Sequence, residues 1–143
     1  MESKAHHLLV KIIIDYALNS LGVKYNLIES DIFEVTGNIT RMKEGYIPDF
    51  YYDYDNLTII GEAKRESDLD REHSLKQYKS YISHLKYKAS NGHKCVMIIA
   101  TSWVASISAY KIFKKLLADE NNIKLIVLNE LGVYKEYEKN NFK

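Results

Sequence analysis

Apolar positions recur at helical spacing near the start of the chain. Leu8, Leu9, Ile12, Ile13, Tyr16 and Ala17 share a stripe that Val10 and Ile14 widen, which predicts a well-buried helix over 4–21. Gly22 is suited to be its C′ stop. From Val23 to Glu29 the pattern alternates, which predicts a first strand. A loop runs through Gly37 and Asn38, and Ile32 to Val35 could extend pairing. Two further runs, about 46–54 and 57–64, read as strands, the second with the apolar stretch Leu57 to Ile60. Ser67-Asp68-Leu69-Asp70 has the form of a capping box with Asp in place of Glu. The helix after it is expected to bury Leu75, Tyr78, Ile82 and Leu85 and to end near Asn91-Gly92. A strand at 94–101, a helix at about 103–118 and a strand at 123–128 complete the chain. There is no repeat, low-complexity tract or linker, so residues 1–143 are expected to form a single α/β domain.

The two central strands carry the most specific information. Asp55-Asn56 between them suits a two-residue hairpin turn, because both residues tolerate positive φ. Antiparallel partners then have numbers that sum to 111, and Asp49 falls opposite Glu62. Directly opposed residues have Cβ atoms about 4.5–5.5 Å apart. Lys64 shares the face of Glu62, because side chains alternate with period two. The other face carries Phe50, Tyr52, Tyr54, Leu57, Ile59 and Ala63, which suit a core. A one-residue slip would destroy both assignments together. Pro48, the only proline, has no N–H and suits the strand start before Asp49.

Two facing carboxylates repel, and one pKa should rise unless a cation is present. Lys64 offsets part of that repulsion. Mg²⁺, which takes one or two carboxylates together with phosphate oxygens, would offset more. The bland alternative is a solvated hairpin in which Lys64 pairs with Glu62 or Asp49. Glu2-Ser3-Lys4 has the same acid-x-lysine spacing without a strand, so the spacing alone carries little.

Pro48-Asp49, a gap, then Glu62-Ala63-Lys64 resembles the signature of the PD-(D/E)XK nuclease superfamily. Gln77-Tyr78-Lys79-Ser80-Tyr81 is similar to the Gln-x-x-x-Tyr motif of its RecB-like branch. The resemblance covers about residues 2–101. It implies a restriction-endonuclease-like core: a helix, a three-stranded antiparallel meander, a helix and a strand. Here a C-terminal helix and strand would be added, giving a mixed central sheet flanked by helices. It further implies that Asp49, Glu62 and the Ala63 carbonyl bind Mg²⁺, with Mn²⁺ as a substitute, and that Lys64 orients or activates the attacking water. Gln77 joins the candidate catalytic set, and Glu2 or Glu29 is a candidate further metal ligand. The implied activity is endonucleolytic hydrolysis of DNA. The alternative is a catalytically inactive fold of this kind that binds nucleic acid or protein.

Charge distribution adds to this picture. The net charge is only +1, yet from Glu29 to Glu72 there are twelve acids against five Lys and Arg. From His73 to Ala118 there is no acid at all. That acid-free run carries the candidate nucleic-acid contacts Lys76, Lys79, Lys86, Lys88, Lys111, Lys114 and Lys115, with Tyr81 as an aromatic one. The expected partner is DNA, with a homodimer as a further option. The single cysteine, Cys95, lies in an apolar run and reads as a buried thiol. No stretch is long enough to span a membrane, and no signal-peptide cleavage pattern is seen, so a cytoplasmic location is expected. For a small nuclease rich in Lys, Ile, Asn and Tyr, a phage or mobile element is a fitting origin, and the site of action would then be the host cytoplasm.

Overall fold

A computed structural model describes residues 4–30, 39–118, 120 and 122–137. Helix α1 (Lys4–Ser20) is followed by the strands β1 (Phe50–Tyr54) and β2 (Leu57–Ala63). Helix α2 (Glu72–Ser90), strand β3 (Lys94–Ala100), helix α3 (Ser106–Leu116), strand β4 (Ile123–Asn129) and strand β5 (Gly132–Tyr137) follow. The strands form one mixed sheet in chain order. β1 and β5 are antiparallel edge strands, and β2, β3 and β4 run parallel. Parallel neighbours require crossovers, and α2 and α3 supply them.

The hairpin has the expected register. Phe50 pairs with Gly61 and Tyr54 with Leu57, and the turn residues Asp55 and Asn56 adopt φ of 54° and 63°. Both sheet faces are covered, so near-continuous apolar strands follow. On one face α1 packs Val10, Ile13, Ile14 and Ala17 against Phe50, Tyr52, Ile59 and Ala63. A Cβ on Gly61 would lie 2.8 Å from Ile13 Cγ2, so glycine lets α1 seat this closely. On the other face Tyr78, Tyr81, Leu85 and Phe113 of α2 and α3 cover Tyr51, Ile60, Met97 and Ile99. Thus the face with Glu62 also carries core, and α2 lies over it.

Several expectations fail for identifiable reasons. The strand expected at 23–29 is a 3₁₀ turn at Tyr25–Leu27 followed by one antiparallel bridge, Glu29 to Tyr51. Lys24, Tyr25 and Asn26 are exposed in succession between buried Val23 and Ile28, so the alternation breaks, and the described residues form a hairpin plus one bridge in place of a three-stranded meander. β1 begins at Phe50, leaving Pro48 and Asp49 just outside it. The capping-box segment is not the start of α2. Leu69 is buried and its carbonyl accepts the Tyr78 hydroxyl, so the chain dips into the core before the helix begins at Glu72. The helix expected from 103 begins as a 3₁₀ turn, Trp103–Ala105. β5 was not anticipated, because all its residues but Tyr137 are exposed and show no apolar alternation. Gly22 does end α1, at φ 70°. The segment 31–38 and Glu2 lie outside the described residues. No helix among the described residues is long and apolar enough to cross a membrane.

Candidate functional site

The site lies where β2 ends and β1 begins. This is the carboxyl end of the parallel strands, where open α/β sheets commonly bind ligands. The strand direction continues past Ala63, because the Lys64 N–H donates to the Ala100 carbonyl at 3.0 Å. Lys64 therefore stays on the face of Glu62. Asp49 and Glu62 interlock through the backbone. The Asp49 N–H donates to Glu62 Oε1 at 3.2 Å, and the Ala63 N–H donates to Asp49 Oδ2 at 2.8 Å. Neither acid can drift from the other without losing a bond.

Lys64 Nζ lies 3.4 Å from Glu62 Oε2 and donates to Gln77 Oε1 at 2.5 Å. Gln77 thus holds the ammonium from above, one helical turn before Tyr81. The three charged side chains are largely enclosed: Asp49 is 11% exposed, Glu62 5% and Lys64 13%. Burial raises the Glu62 pKa to about 8, with the Asp49 charge adding and Lys64 and the Asp49 N–H opposing. Lys64 offsets the burial of Glu62 only in part.

The structure adds His6, whose Nε2 lies 3.2 Å from Asp49 Oδ1. A signal for it exists in the sequence. His6 continues the buried stripe Val10, Ile13 and Ala17 one turn toward the N-terminus. A search for paired zinc ligands passes over it, because its partner is an acid on another element.

Other expected site residues fall elsewhere. Glu29 accepts the Thr40 N–H at 2.7 Å, and no described bond joins it to Asp49 or Glu62. Tyr81 is fully buried, so its ring is not presented to nucleic acid; it forms a wall of the site. Its hydroxyl has no hydrogen-bond partner of ordinary geometry among the described residues, although it is close enough for burial and the Glu62 charge to raise its pKa. Lys88 is committed to Asp53 at 2.6 Å. Lys76, Lys79 and Lys86 on α2 and Lys111, Lys114 and Lys115 on α3 are exposed, with Lys76 3.8 Å from Glu72.

Among the described residues no group of three or more His, Cys, Asp or Glu side chains is placed to hold a metal ion, and a zinc site commonly needs that many. Asp49 and Glu62 carry oxygen donors, the type Mg²⁺ takes. Two carboxylates with water and phosphate oxygens suffice for Mg²⁺. One buried hydroxyl points the same way. Thr101 Oγ1 is buried without a partner among the described residues. Alternation places Thr101 beside Lys64, because Ala63 pairs with Ala100. Buried polar atoms normally have partners, and a hydrated cation brings water to supply them. A cleft of about 870 Å³ opens at the opposite end of the sheet, lined by Asp55, His93, Lys94 and Lys124 among others, and it contains none of these residues.

No protein-family model, curated protein or solved structure matches the chain.

Proposed function

We propose that this protein is a Mg²⁺-dependent nuclease that cleaves DNA endonucleolytically, on a restriction-endonuclease-like variant of the α/β fold. The observation that carries this reading is the interlocked Asp49–Glu62 pair with Lys64 Nζ 3.4 Å from Glu62. The resemblance to PD-(D/E)XK nucleases supports it, as does the acid-free run of lysines on α2 and α3.

Asp49, Glu62 and the Ala63 carbonyl would hold the cation, with Mn²⁺ able to replace Mg²⁺. A bound divalent ion lowers the pKa of water and stabilises charge on the phosphate and leaving oxygen. Lys64 orients the attacking water for in-line approach to phosphorus, and its ammonium stabilises developing charge. Gln77 keeps Lys64 in that position. His6 holds Asp49 from the α1 side. Burial and the Asp49 charge favour the protonated form of Glu62, so cation binding should release a proton and strengthen as pH rises.

The test is cleavage of supercoiled, linear, single-stranded and junction DNA in Mg²⁺ by the wild type, Glu62→Ala and Lys64→Ala proteins. The reading expects wild-type cleavage and its loss in both variants. Cleavage that survives both unchanged overturns it. Tight, salt-dependent binding without hydrolysis in Mg²⁺ or Mn²⁺ would favour a non-catalytic nucleic-acid binder.

A further inference from the structure

The chain has one tryptophan, Trp103, and it is 59% exposed. It sits three residues beyond Ala100, the residue whose carbonyl receives the Lys64 N–H. Three residues span at most about 11 Å, so the Trp103 backbone lies within that reach of the Lys64–Ala100 bond. Val104 and Ile107 beside it are also about half exposed. Large exposed apolar side chains grouped in this way commonly mark a contact surface.

The shelf is rigidly built. Ser102 Oγ accepts the Ala105 N–H, and Ser106 Oγ donates to the Ser102 carbonyl at 3.1 Å. Asn129 at the end of β4 donates to Ser106 Oγ at 2.8 Å. These bonds fix the backbone that carries the indole. The shelf also continues into positive charge. Beyond the 3₁₀ turn that holds Val104, the exposed side of α3 carries Ile107, Lys111, Lys114 and Lys115, with Lys114 Nζ over the Tyr110 and Tyr137 rings, and α3 covers the same sheet face as the site. No acid occurs anywhere from His73 to Ala118.

A π surface just beyond the site-bearing end of β3, followed by a line of ammonium groups, fits a strand whose bases are free to stack while its phosphates meet lysines. A blunt duplex keeps its bases stacked on one another and offers no face to the indole except at its ends. We propose that Trp103 with Val104 and Ile107 forms a stacking platform for unpaired nucleobases, so that the site takes single-stranded nucleic acid or the unpaired region of a branched or frayed duplex. This inference rests on the nuclease reading for its substrate and deepens it.

As the sole tryptophan, Trp103 reports on itself. The experiment titrates the metal-free protein in EDTA with an oligothymidylate of about 12 nucleotides and with a blunt duplex of equal length. Tryptophan fluorescence is the readout for the wild type, and anisotropy of labelled oligonucleotide for Trp103→Ala and Trp103→Phe. The single strand should quench Trp103 saturably. Trp103→Ala should weaken single-strand binding about 10-fold, while Trp103→Phe keeps most of it. Duplex affinity should change less than about 2-fold, because lysine–phosphate contacts dominate it. Circular dichroism confirms that each variant is folded. Unchanged single-strand affinity in Trp103→Ala, or an equal loss for duplex, overturns the proposal. So does sedimentation that shows a wild-type dimer and a Trp103→Ala monomer, which assigns the shelf to a second copy of the chain. Cleavage with Trp103 silent rejects the platform and leaves the nuclease reading intact. Quenching by single strand without cleavage in Mg²⁺ does the reverse.

Discussion

The two ends of the β1–β2 hairpin present the same residue types on the same sheet face in opposite electrostatic states. At the turn end, Asp53 accepts Lys88 at 2.6 Å and the Thr58 hydroxyl at 3.1 Å. His93 Nδ1 is 3.5 Å away. Burial works against the Asp53 charge, but the Lys88 bond and charge outweigh it, and its pKa falls below the ordinary value. At the open end, Glu62 faces Asp49, and Lys64 shares its ammonium with Gln77. The Glu62 pKa rises instead. The turn-end acid is satisfied by the protein itself and serves to tie α2 to the hairpin. At the open end the burial of Glu62 outweighs the Lys64 charge. Carboxylates with a lysine nearby therefore do not by themselves mark a candidate site; a buried carboxylate left without full compensation does.

Lys64→Ala offers the strongest way to break this comparison. Mg²⁺-dependent cleavage should fall by about 10²–10³-fold or more, as measured by initial rates on plasmid DNA. Gln77→Ala should lose less, because Lys64 remains but is held only by Glu62. Gly61→Ala should come next. The new Cβ meets Ile13 Cγ2 and Phe50 Cβ, and overpacking should cost about 1–3 kcal/mol in urea unfolding. By pushing α1 away it should also disturb His6 at Asp49, leaving the Asp53 end intact.

Asp53→Ala should destabilise by roughly 1–2 kcal/mol, since these side chains are about one quarter exposed, with no loss of cleavage rate in folded protein. The pH response should be gentler and of opposite sign at the two ends, at most about 1.4 kcal/mol per pH unit for one group. Glu62 binds its proton more tightly in the folded chain than in the unfolded one. Its contribution is complete below the ordinary carboxylate pKa of 4.5 and is lost as pH rises through about 8. The Asp53 contribution is present above its ordinary pKa of 3.8 and is lost as pH falls through its lower folded value. Urea midpoints measured across pH without metal should therefore decline toward alkaline pH, and Glu62→Gln should flatten that decline.

The hairpin was legible because two independent local signals agree in it. Asp55-Asn56 accept left-handed backbone, and period-two burial admits one register. Lys64 and Gln77 could be named from sequence, but their 2.5 Å contact could not, since it depends on how α2 crosses β2. His6 was obscured because its role comes from α1 lying across the sheet at Gly61. The alternation at Val23–Glu29 misled because Lys24, Tyr25 and Asn26 are all exposed. The strand β5 has no burial pattern to read. Its pairing with β4 comes from backbone bonds, which leave little trace in side-chain type. The Trp103 shelf also had no local mark. Its interest lies in following β3 at the end where Lys64 bonds to Ala100, an arrangement that only the parallel pairing of β2 with β3 supplies.

The most direct measurement compares two isosteric changes on this one sheet face, Glu62→Gln and Asp53→Asn, by their Mg²⁺-dependent cleavage of supercoiled, single-stranded and junction DNA. Each replaces a carboxylate by an amide. The account predicts that Glu62→Gln abolishes cleavage, while Asp53→Asn cleaves at the wild-type rate at a temperature where it is folded. Equal cleavage by both variants and the wild type, or loss of cleavage in folded Asp53→Asn alone, would contradict it.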